Sequence, residues 1–271
     1  MKKTRLDVLL VERGFFETRE KAKRTVMAGL VFSEQTRLDK PGMKVNADIP
    51  IQIKGKTHNY VSRGGLKLEK ALKYFELSVE DKIMIDIGSS TGGFTDCALQ
   101  NGAKLSYAID VGQNQLDWKL RSDDRVIVME KTNFRYVTPD QLKQGRPNFA
   151  SIDVSFISLR IILPVLKRLL LDESDIIALI KPQFEAGKEQ VGKKGIVRDS
   201  AVHKEVLTNM IEFTVKEGYS VENLTYSPIT GGEGNVEFLI HLKWSRQQNK
   251  DINDSINIDQ IIGDANTELR K

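Results

Sequence analysis

Two hydrophobic periods alternate along most of this chain. From residue 83 to residue 242, short continuous apolar runs alternate with stretches whose apolar residues recur every three to four positions. The runs at 83–87, 105–110, 126–129, 149–154 and 176–180 predict strands. The stretches at 93–100, 113–120, 159–171 and 201–217 predict the helices near them. Runs at 224–226 and 236–242 predict a final antiparallel pair. An earlier helix is predicted from Gly65, with Leu68, Ala71, Leu72 and Phe75 as its apolar stripe. Strands alternating with helices predict the α/β class and a doubly wound, Rossmann-like parallel sheet.

The first 56 residues are patterned differently. Thr18 suits the N-cap of a helix beginning at Arg19, and Gly29 suits its end. Ala22, Val26 and Leu30 sit at helical spacing, while Arg19, Lys21, Lys23 and Arg24 take other faces. A strand is predicted at 30–32, a turn at Pro41-Gly42 and alternating β structure over 45–53. The region 1–56 therefore reads as a small, basic α+β domain. A linker is predicted at 57–62 and the larger domain at 63–244. The tail at 245–271 is polar, with no aromatic residue after Trp244. It is expected to be disordered or to carry one loosely packed helix around 256–262.

Composition narrows the class. Apolar residues make up 40% of the 271, enough to bury a substantial core. The formal net charge of +4 leans only weakly towards an acidic partner, so clustering of the basic residues has to carry that reading. Cys97 is the only cysteine, which excludes an internal disulfide and a cysteine zinc site. His58, His203 and His241 show no metal-ligand spacing, and no metal is expected. No apolar run reaches transmembrane length and no apolar leader stands at the N-terminus, so a cytoplasmic protein without a membrane partner is expected. Oligomeric state is left open.

The run Asp86-Ile87-Gly88-Ser89-Ser90-Thr91-Gly92-Gly93-Phe94-Thr95-Asp96 joins the first strand of the larger domain to a helix. A glycine-rich turn of this kind exposes backbone N–H groups at a positive helix end, a place for a polar cofactor. Gly88 to Gly93 has the spacing of a phosphate loop, but Phe94 stands where the lysine belongs. Ser90 replaces the glycine that lets backbone approach a pyrophosphate. Asp86 would repel phosphates and suits a positively charged amino group. S-adenosylmethionine carries an ammonium and a sulfonium and no phosphate, and is the expected cofactor. Gly88, Ser89, Ser90, Gly92, Gly93 and Phe94 form its expected cradle, with Asp86. Asp110 ends the next strand, where such folds place an acid on ribose hydroxyls, although a strand-end turn aspartate has the same signature. Val111 beside it and Asn133 after the third strand complete the expected cofactor set, Asn133 for the adenine.

Four further polar residues fall where an open α/β sheet places its chemistry. Asp153 ends the fourth strand and Lys181 the fifth. A lysine directly after the apolar run 176–180, with Pro182 next, is not an ordinary surface lysine. Glu237 shares a face of the last strand with Leu239 and His241, where a carboxylate needs a partner. Lys67 sits on the helix before the first strand. Taken singly, each reads better as a salt-bridged structural charge than as a functional one.

Taken together, Lys67, Asp153, Lys181 and Glu237 match, residue by residue, the Lys-Asp-Lys-Glu tetrad of FtsJ-like ribose 2′-O-methyltransferases. The glycine run, Tyr60-Val61-Ser62-Arg63-Gly64-Gly65, Lys181-Pro182-Gln183-Phe184-Glu185 and Gly195-Ile196-Val197-Arg198-Asp199 resemble the TlyA, or haemolysin A-like, family. So does the order of the two domains. Thr91 stands where the heat-shock branch of FtsJ enzymes usually has proline, in agreement with TlyA. The first fifth of the chain resembles the RNA-binding module named after ribosomal protein S-four. That match rests on Arg5-Leu6-Asp7, Leu9-Leu10, Gly14, Thr18-Arg19, Lys21-Ala22, Ala28-Gly29-Leu30-Val31 and Val45. It departs at Phe32-Ser33-Glu34, where such modules often read Val-Asn-Gly. The resemblance covers nearly the whole chain up to Trp244.

The resemblance implies an S-adenosylmethionine-dependent methyltransferase acting on a cytidine 2′-hydroxyl of 16S or 23S ribosomal RNA, or of both. Its partners would be that RNA or the ribosomal subunits. The tetrad would be catalytic, with Asp153 also near the cofactor. Arg5, Arg19, Lys23, Arg24 and Arg63 are expected RNA contacts. Lys188, Lys193, Lys194 and Arg198, in the glycine-containing segment 185–198, are expected to join them, reading phosphate and shape.

A ribose hydroxyl is a very weak acid, so its proton needs an acceptor, and Lys181 is the expected one. A lysine at its ordinary pKa of about 10.4 is neutral in roughly one molecule in 2,500 at pH 7, a cost of about 4.6 kcal/mol. Burial and nearby positive charge favour the neutral form, carboxylates oppose it, and the four groups are expected to titrate together. Asp153 is expected to position Lys181, and Lys67 and Glu237 to orient the ribose hydroxyl and the second lysine. Three rival readings stay open at this stage. They are a non-catalytic RNA-binding or ribosome-assembly factor, a membrane-active haemolysin, and a small-molecule methyltransferase, which would leave the basic N-terminal domain without a purpose.

Overall fold

The computed structural model describes residues 3–27, 29–54, 59–231, 234–247 and 251–269. The chain divides into two compact units, Met1–Asn59 and Tyr60–Lys271. Thr57 and His58 of the predicted linker, and Ala28 of the S-four-like pattern, lie outside the described residues. Tyr60 and Val61, also read as linker, belong to the second unit: both are buried in its core, and the Val61 amide donates to Asp96 Oδ2 at 2.7 Å.

The first unit runs β1 (Lys3–Arg5), α1 (Leu6–Glu12), α2 (Arg19–Met27), β2 (Val31–Ser33), β3 (Thr36–Arg37), β4 (Lys44–Asn46) and β5 (Gln52–Ile53). β1 pairs with β4, and β2 pairs with both β3 and β5, all antiparallel. The β structure expected over 45–53 is thus two short strands with an irregular stretch between them. Leu6, Leu9, Leu10, Ala22, Val26, Val31, Leu38 and Val45 form the core. Asp7 is wholly buried beside them and two arginines hold it. Arg5 Nε donates to Asp7 Oδ1 at 3.0 Å and Arg5 Nη2 to Oδ2 at 3.1 Å, while Arg19 Nη2 donates to Oδ2 at 3.0 Å. The Arg5 hydrogen bonds, against the cost of burial, hold the Asp7 carboxyl well below the usual carboxylate range. Arg5 and Arg19 therefore spend part of their donor capacity inside this unit. Lys23 is paired with Glu20 on the exposed face of α2.

The second unit runs α3 (Gly65–Tyr74), β6 (Ile83–Ile87), α4 (Gly93–Gln100), β7 (Leu105–Ile109), α5 (Trp118–Arg121), β8 (Val126–Met129), β9 (Phe149–Ile152), α6 (Leu159–Leu169), β10 (Ser174–Ile180), α7 (Pro182–Glu185), α8 (Ser200–Lys216), β11 (Ser220–Tyr226), β12 (Phe238–Trp244) and α9 (Ile258–Leu269). Its seven strands form one mixed sheet in the order β11-β12-β10-β9-β6-β7-β8. β12 is antiparallel to β10 and β11, and the remaining pairs are parallel. Alternate side chains feed two cores. Ile85 and Ile87 of β6 join one cluster, and Met84 joins the other, packed with α3 and α4. Phe238, Ile240 and Leu242 of β12 part from Leu239 in the same way. The strand order reverses between β6 and β9, and the crevice at such a switch point is where open α/β sheets bind ligands.

Three expectations are corrected here. The helix expected at 113–120 is only Trp118–Arg121, because Asp117 caps it from outside, its side chain accepting from the Lys119 amide at 3.0 Å. The preceding residues instead turn back on the strand end, where the Gly112 amide donates to Asp110 Oδ1 and the Gly112 carbonyl accepts from Lys131. Glu237 comes just before β12 and is not part of it, although its carbonyl still accepts from the Ser227 amide at 2.8 Å. In the tail the helix expected around 256–262 is present, over Ile258–Leu269, and it is packed, not loose. Residues 251–253 run beside Val221 with hydrogen bonds of 2.9 Å, and α9 buries Ile262 and Ala265 in the larger core.

Candidate active site

β6 delivers the glycine run to the switch point. Gly88 has φ of +83°, and a Cβ there would lie 2.6 Å from the Asp153 carbonyl oxygen. Only glycine lets the β6 loop pass this close to the end of β9. Gly93 opens α4 against the start of α3, where a Cβ would lie 2.7 Å from the Gly65 nitrogen. These two contacts bring the cradle, α3 and Asp153 around one cavity of about 550 Å³.

Asp86 lines that cavity yet is wholly buried. Its Oδ1 accepts from Ser151 Oγ at 2.7 Å, and its Oδ2 accepts from the Thr95 amide at 3.1 Å and Thr95 Oγ1 at 2.8 Å. Burial pushes its pKa up to about 6, against the hydrogen bonds of Ser151 and Thr95, and the charge of Asp153 adds to the rise. Gly88, Ser89, Ser90, Gly93 and Phe94 line the same space. Gly92 does not, and faces Leu116 and Leu120. Asp110 also stands outside the lining. Its two oxygens accept from the Ser90 amide at 2.8 Å and the Gly112 amide at 2.7 Å, which ties the end of β7 to the cradle. Val111 beside it is largely exposed. Asn133 lies outside the cavity too, with Oδ1 accepting from the Arg135 amide and from Arg135 Nε, each at 3.2 Å.

The four charged residues meet. Lys67 Nζ lies 2.7 Å from Glu237 Oε2 and 3.2 Å from Asp153 Oδ2. Lys181 Nζ lies 2.5 Å from Asp153 Oδ1 and donates to Ser155 Oγ at 3.1 Å. The result is a row of alternating charge, Glu237–Lys67–Asp153–Lys181, with both lysine side chains 9% exposed and Glu237 2% exposed. The two lysines are not equivalent in it. Lys67 has a carboxylate on each side; burial works against its charge, but Asp153 and Glu237 outweigh it and its pKa is raised. Lys181 ends the row with one carboxylate, which it shares. Burial likewise opposes the charge of Asp153, and the two ammoniums overcome it, holding the carboxyl below its ordinary range.

Of the expected RNA contacts in this unit, Arg63 and Lys194 line the cavity, and Lys188, Lys193 and Arg198 do not. Residues given no role from the sequence also line it: Ser62, Ser155, Phe156, Gln183, Phe184 and Asn235. Phe156 is 91% exposed and in the left-handed backbone region, with its ring centroid 5.0 Å from that of Phe184. Its signal was a bulky apolar residue directly after the polar strand end Asp153-Val154-Ser155. Among the described residues no group of acidic, histidine or cysteine side chains has a geometry that would hold a metal.

A cavity at the switch point of a doubly wound sheet, with a buried acid in its wall and a row of lysines and carboxylates beside it, fits a Rossmann-like methyltransferase. Similarity to known proteins reaches the same class and refines it. The FtsJ-like methyltransferase family matches residues 60–244, and the S4 domain family matches residues 4–48. The chain belongs to the FtsJ-like methyltransferase family and carries an S4 domain ahead of the methyltransferase domain. It is 70% identical to YqxC of Bacillus subtilis (strain 168), which bears an rRNA methyltransferase name, over 90% of this chain and 86% of that protein. It is 37% identical to the 16S/23S rRNA (cytidine-2'-O)-methyltransferase TlyA of Mycobacterium tuberculosis (strain CDC 1551 / Oshkosh), over 89% of this chain and 90% of that protein. A solved structure from Streptococcus thermophilus, bearing a hemolysin name, is 56% identical with a TM-score of 0.79 and covers 100% of this chain and 98% of its own.

Proposed function

We propose that this protein transfers the methyl group of S-adenosylmethionine to a cytidine 2′-hydroxyl of ribosomal RNA. The observation that carries the reading is the row Glu237–Lys67–Asp153–Lys181 beside the cavity. The cytidine and the ribosomal RNA rest on the activity named for the Mycobacterium tuberculosis relative. The S4 domain supports an RNA partner, and the exposed Phe156 suits an unstacked base. The cavity's volume lies within the roughly 300–1,000 Å³ of small-molecule sites. Among the described residues no helix is long and apolar enough to cross a membrane.

The residues fit the cofactor. Asp86 offers a buried carboxylate to an ammonium, and the glycine cradle leaves room that any Cβ at position 88 would disturb. When bound, S-adenosylmethionine supplies an electrophilic methyl carbon on a sulfonium. The protein's own work is at the acceptor. Lys67 stays charged between its carboxylates and fixes Asp153. Asp153 holds Lys181 at the end of the row, where Nζ, in its neutral amine form, accepts the proton that leaves the 2′-hydroxyl and becomes the ammonium. Arg63 and Lys194 give the RNA backbone two cations at the same cavity. Placement of the hydroxyl contributes alongside basicity.

Mapping 2′-O-methylation at nucleotide resolution tests the reading. Ribosomal RNA incubated with the protein and cofactor is expected to gain a mark on at least one cytidine. No new mark in the RNA of either subunit overturns it.

The position of Asp86 gives a separate expectation. Its folded pKa is above its unfolded value, so its stabilising share is full below about pH 4 and is lost as pH rises to about 6. An ammonium held there favours the ionised carboxylate, so cofactor affinity is expected to rise with pH across the same window. Asp86→Asn keeps acceptor and donor atoms for Thr95 and Ser151. It should flatten both pH dependences and weaken cofactor binding at pH 7.5 by roughly tenfold. Calorimetric titrations at pH 5.5 and 7.5 measure this, and a variant with unchanged affinity at both would remove Asp86 from the ammonium site.

A further inference from the structure

We propose that Asn235 is a positioning residue that sets Lys194 over the cavity and ties its loop to the segment bearing Glu237. The inference rests on the reading of the site as an RNA methyltransferase. Asn235 is polar yet 4% exposed. Its Oδ1 accepts from the Val197 amide at 3.0 Å, and its Nδ2 donates to the Gly195 carbonyl at 2.9 Å. One carboxamide thus grips the backbone on both sides of Ile196.

The turn it grips needs holding. The Gly192 amide donates to the Ile196 carbonyl at 3.0 Å, and the Gly195 amide to the Gly192 carbonyl at 3.1 Å. Between them Lys194, with a Cβ, has φ of +66°, and Gly195 has φ of +71°. A non-glycine residue keeps that backbone when its surroundings over-determine it. Asn235 supplies two of the constraints from outside the loop. Lys194 and Gly195 line the cavity, and the neighbouring Lys188, Lys193 and Arg198 do not, so the grip brings one chosen cation of this basic segment to the site. No carboxylate among the described residues pairs with Lys194, which leaves its ammonium for an RNA phosphate.

On its other side Asn235 leads to the tetrad. Its carbonyl accepts from the Gly231 amide at 2.9 Å, and Glu237 follows two residues later. Gly231 lies so close to the Glu237 carboxylate that a Cβ there would overlap Oε1. Loop, asparagine and Glu237 are thereby one connected structure. RNA held by Lys194 is registered against the row that receives the hydroxyl.

A double-mutant cycle tests the link. Asn235→Ala and Lys194→Ala are each expected to raise KM for ribosomal RNA about tenfold. Each should also lower the salt dependence of KM by about one phosphate contact. The affinity for S-adenosylmethionine should stay within about twofold in both. The double variant should be no worse than either single one, whereas Lys188→Ala should multiply with Asn235→Ala. If Asn235→Ala does not fold, Asn235→Asp takes its place, since it keeps the acceptor for Val197 and loses the donor to Gly195. Independent, multiplying effects of Asn235 and Lys194 overturn the inference. Wild-type protein that methylates no ribosomal RNA overturns instead the reading on which it rests.

Discussion

Lys181→Ala is expected to slow methyl transfer to ribosomal RNA by roughly 10²–10⁴-fold, the usual contribution of a positioned acid or base. Cofactor affinity should stay within about twofold. The reason lies in its place in the row. Both lysines line the cavity, but Lys181 Nζ meets one carboxylate, Asp153, with Ser155 Oγ and the Phe184 ring as its other neighbours, whereas Lys67 lies between two carboxylates. Removing the Lys181 side chain leaves the Lys67 pairs in place, so the fold and the cradle persist while the amine that takes up the proton is gone. Lys181→Arg separates basicity from placement. A guanidinium can still pair with Asp153 but does not give up its proton in a protein. Both variants should therefore be slow, and single-turnover transfer from labelled cofactor measures them. Lys181→Arg turning over within about tenfold of wild type would assign Lys181 to placement alone and require another acceptor.

The elements read best from the sequence are those whose apolar residues stop abruptly at polar or glycine neighbours. The strands at 83–87 and 126–129 and the helix at 93–100 have the expected ends, because continuous apolar runs bounded by polar residues leave little choice of register. The helix expected at 113–120 shows the opposite. Leu116 and Leu120 keep helical spacing and are both buried, yet the backbone over 113–117 is a loop, shaped by Asp110 and ended by the cap at Asp117. In α9 the stripe Ile258, Ile261, Ile262, Ala265 and Leu269 was present but diluted by polar residues, and its burial depends on α8 and β11. Candidate site residues divide along the same line. Lys67, Asp153, Lys181 and Glu237 could be found because strand ends and a family pattern single them out. Ser155 and Asn235 could not, because their roles are hydrogen bonds to Lys181, Val197 and Gly195, which lie 26, 38 and 40 positions away. The order of the row was equally hidden. Nothing in the spacing says that Lys67 takes two carboxylates and Lys181 one.

That order makes Lys67→Met the substitution with the largest expected effect on stability. Among the described residues Lys67 is the one cation paired with the Glu237 carboxylate, and it also neutralises one side of Asp153. Removing one member of a buried ion pair strands the other, at a cost of about 3–5 kcal/mol. At about 2–4 °C per kcal/mol for a unit of this size, Tm should fall by roughly 6–20 °C. The sign with pH follows from the raised pKa of Lys67: its own contribution is full below the ordinary value of 10.5 and is lost as pH rises above it, while the lowered pKa of Asp153 makes that partner's share fade in acid. Glu237→Gln in the same chain removes the stranded charge, so the double variant should recover part of the lost Tm. Methyl transfer should not return, because Asp153 then lacks the charge that fixes it against Lys181. Thermal unfolding beside the transfer assay checks both halves. A Lys67→Met protein within about 1 kcal/mol of wild type would mean that water or rearrangement relieves Glu237, and that the row is not the buried unit its distances describe.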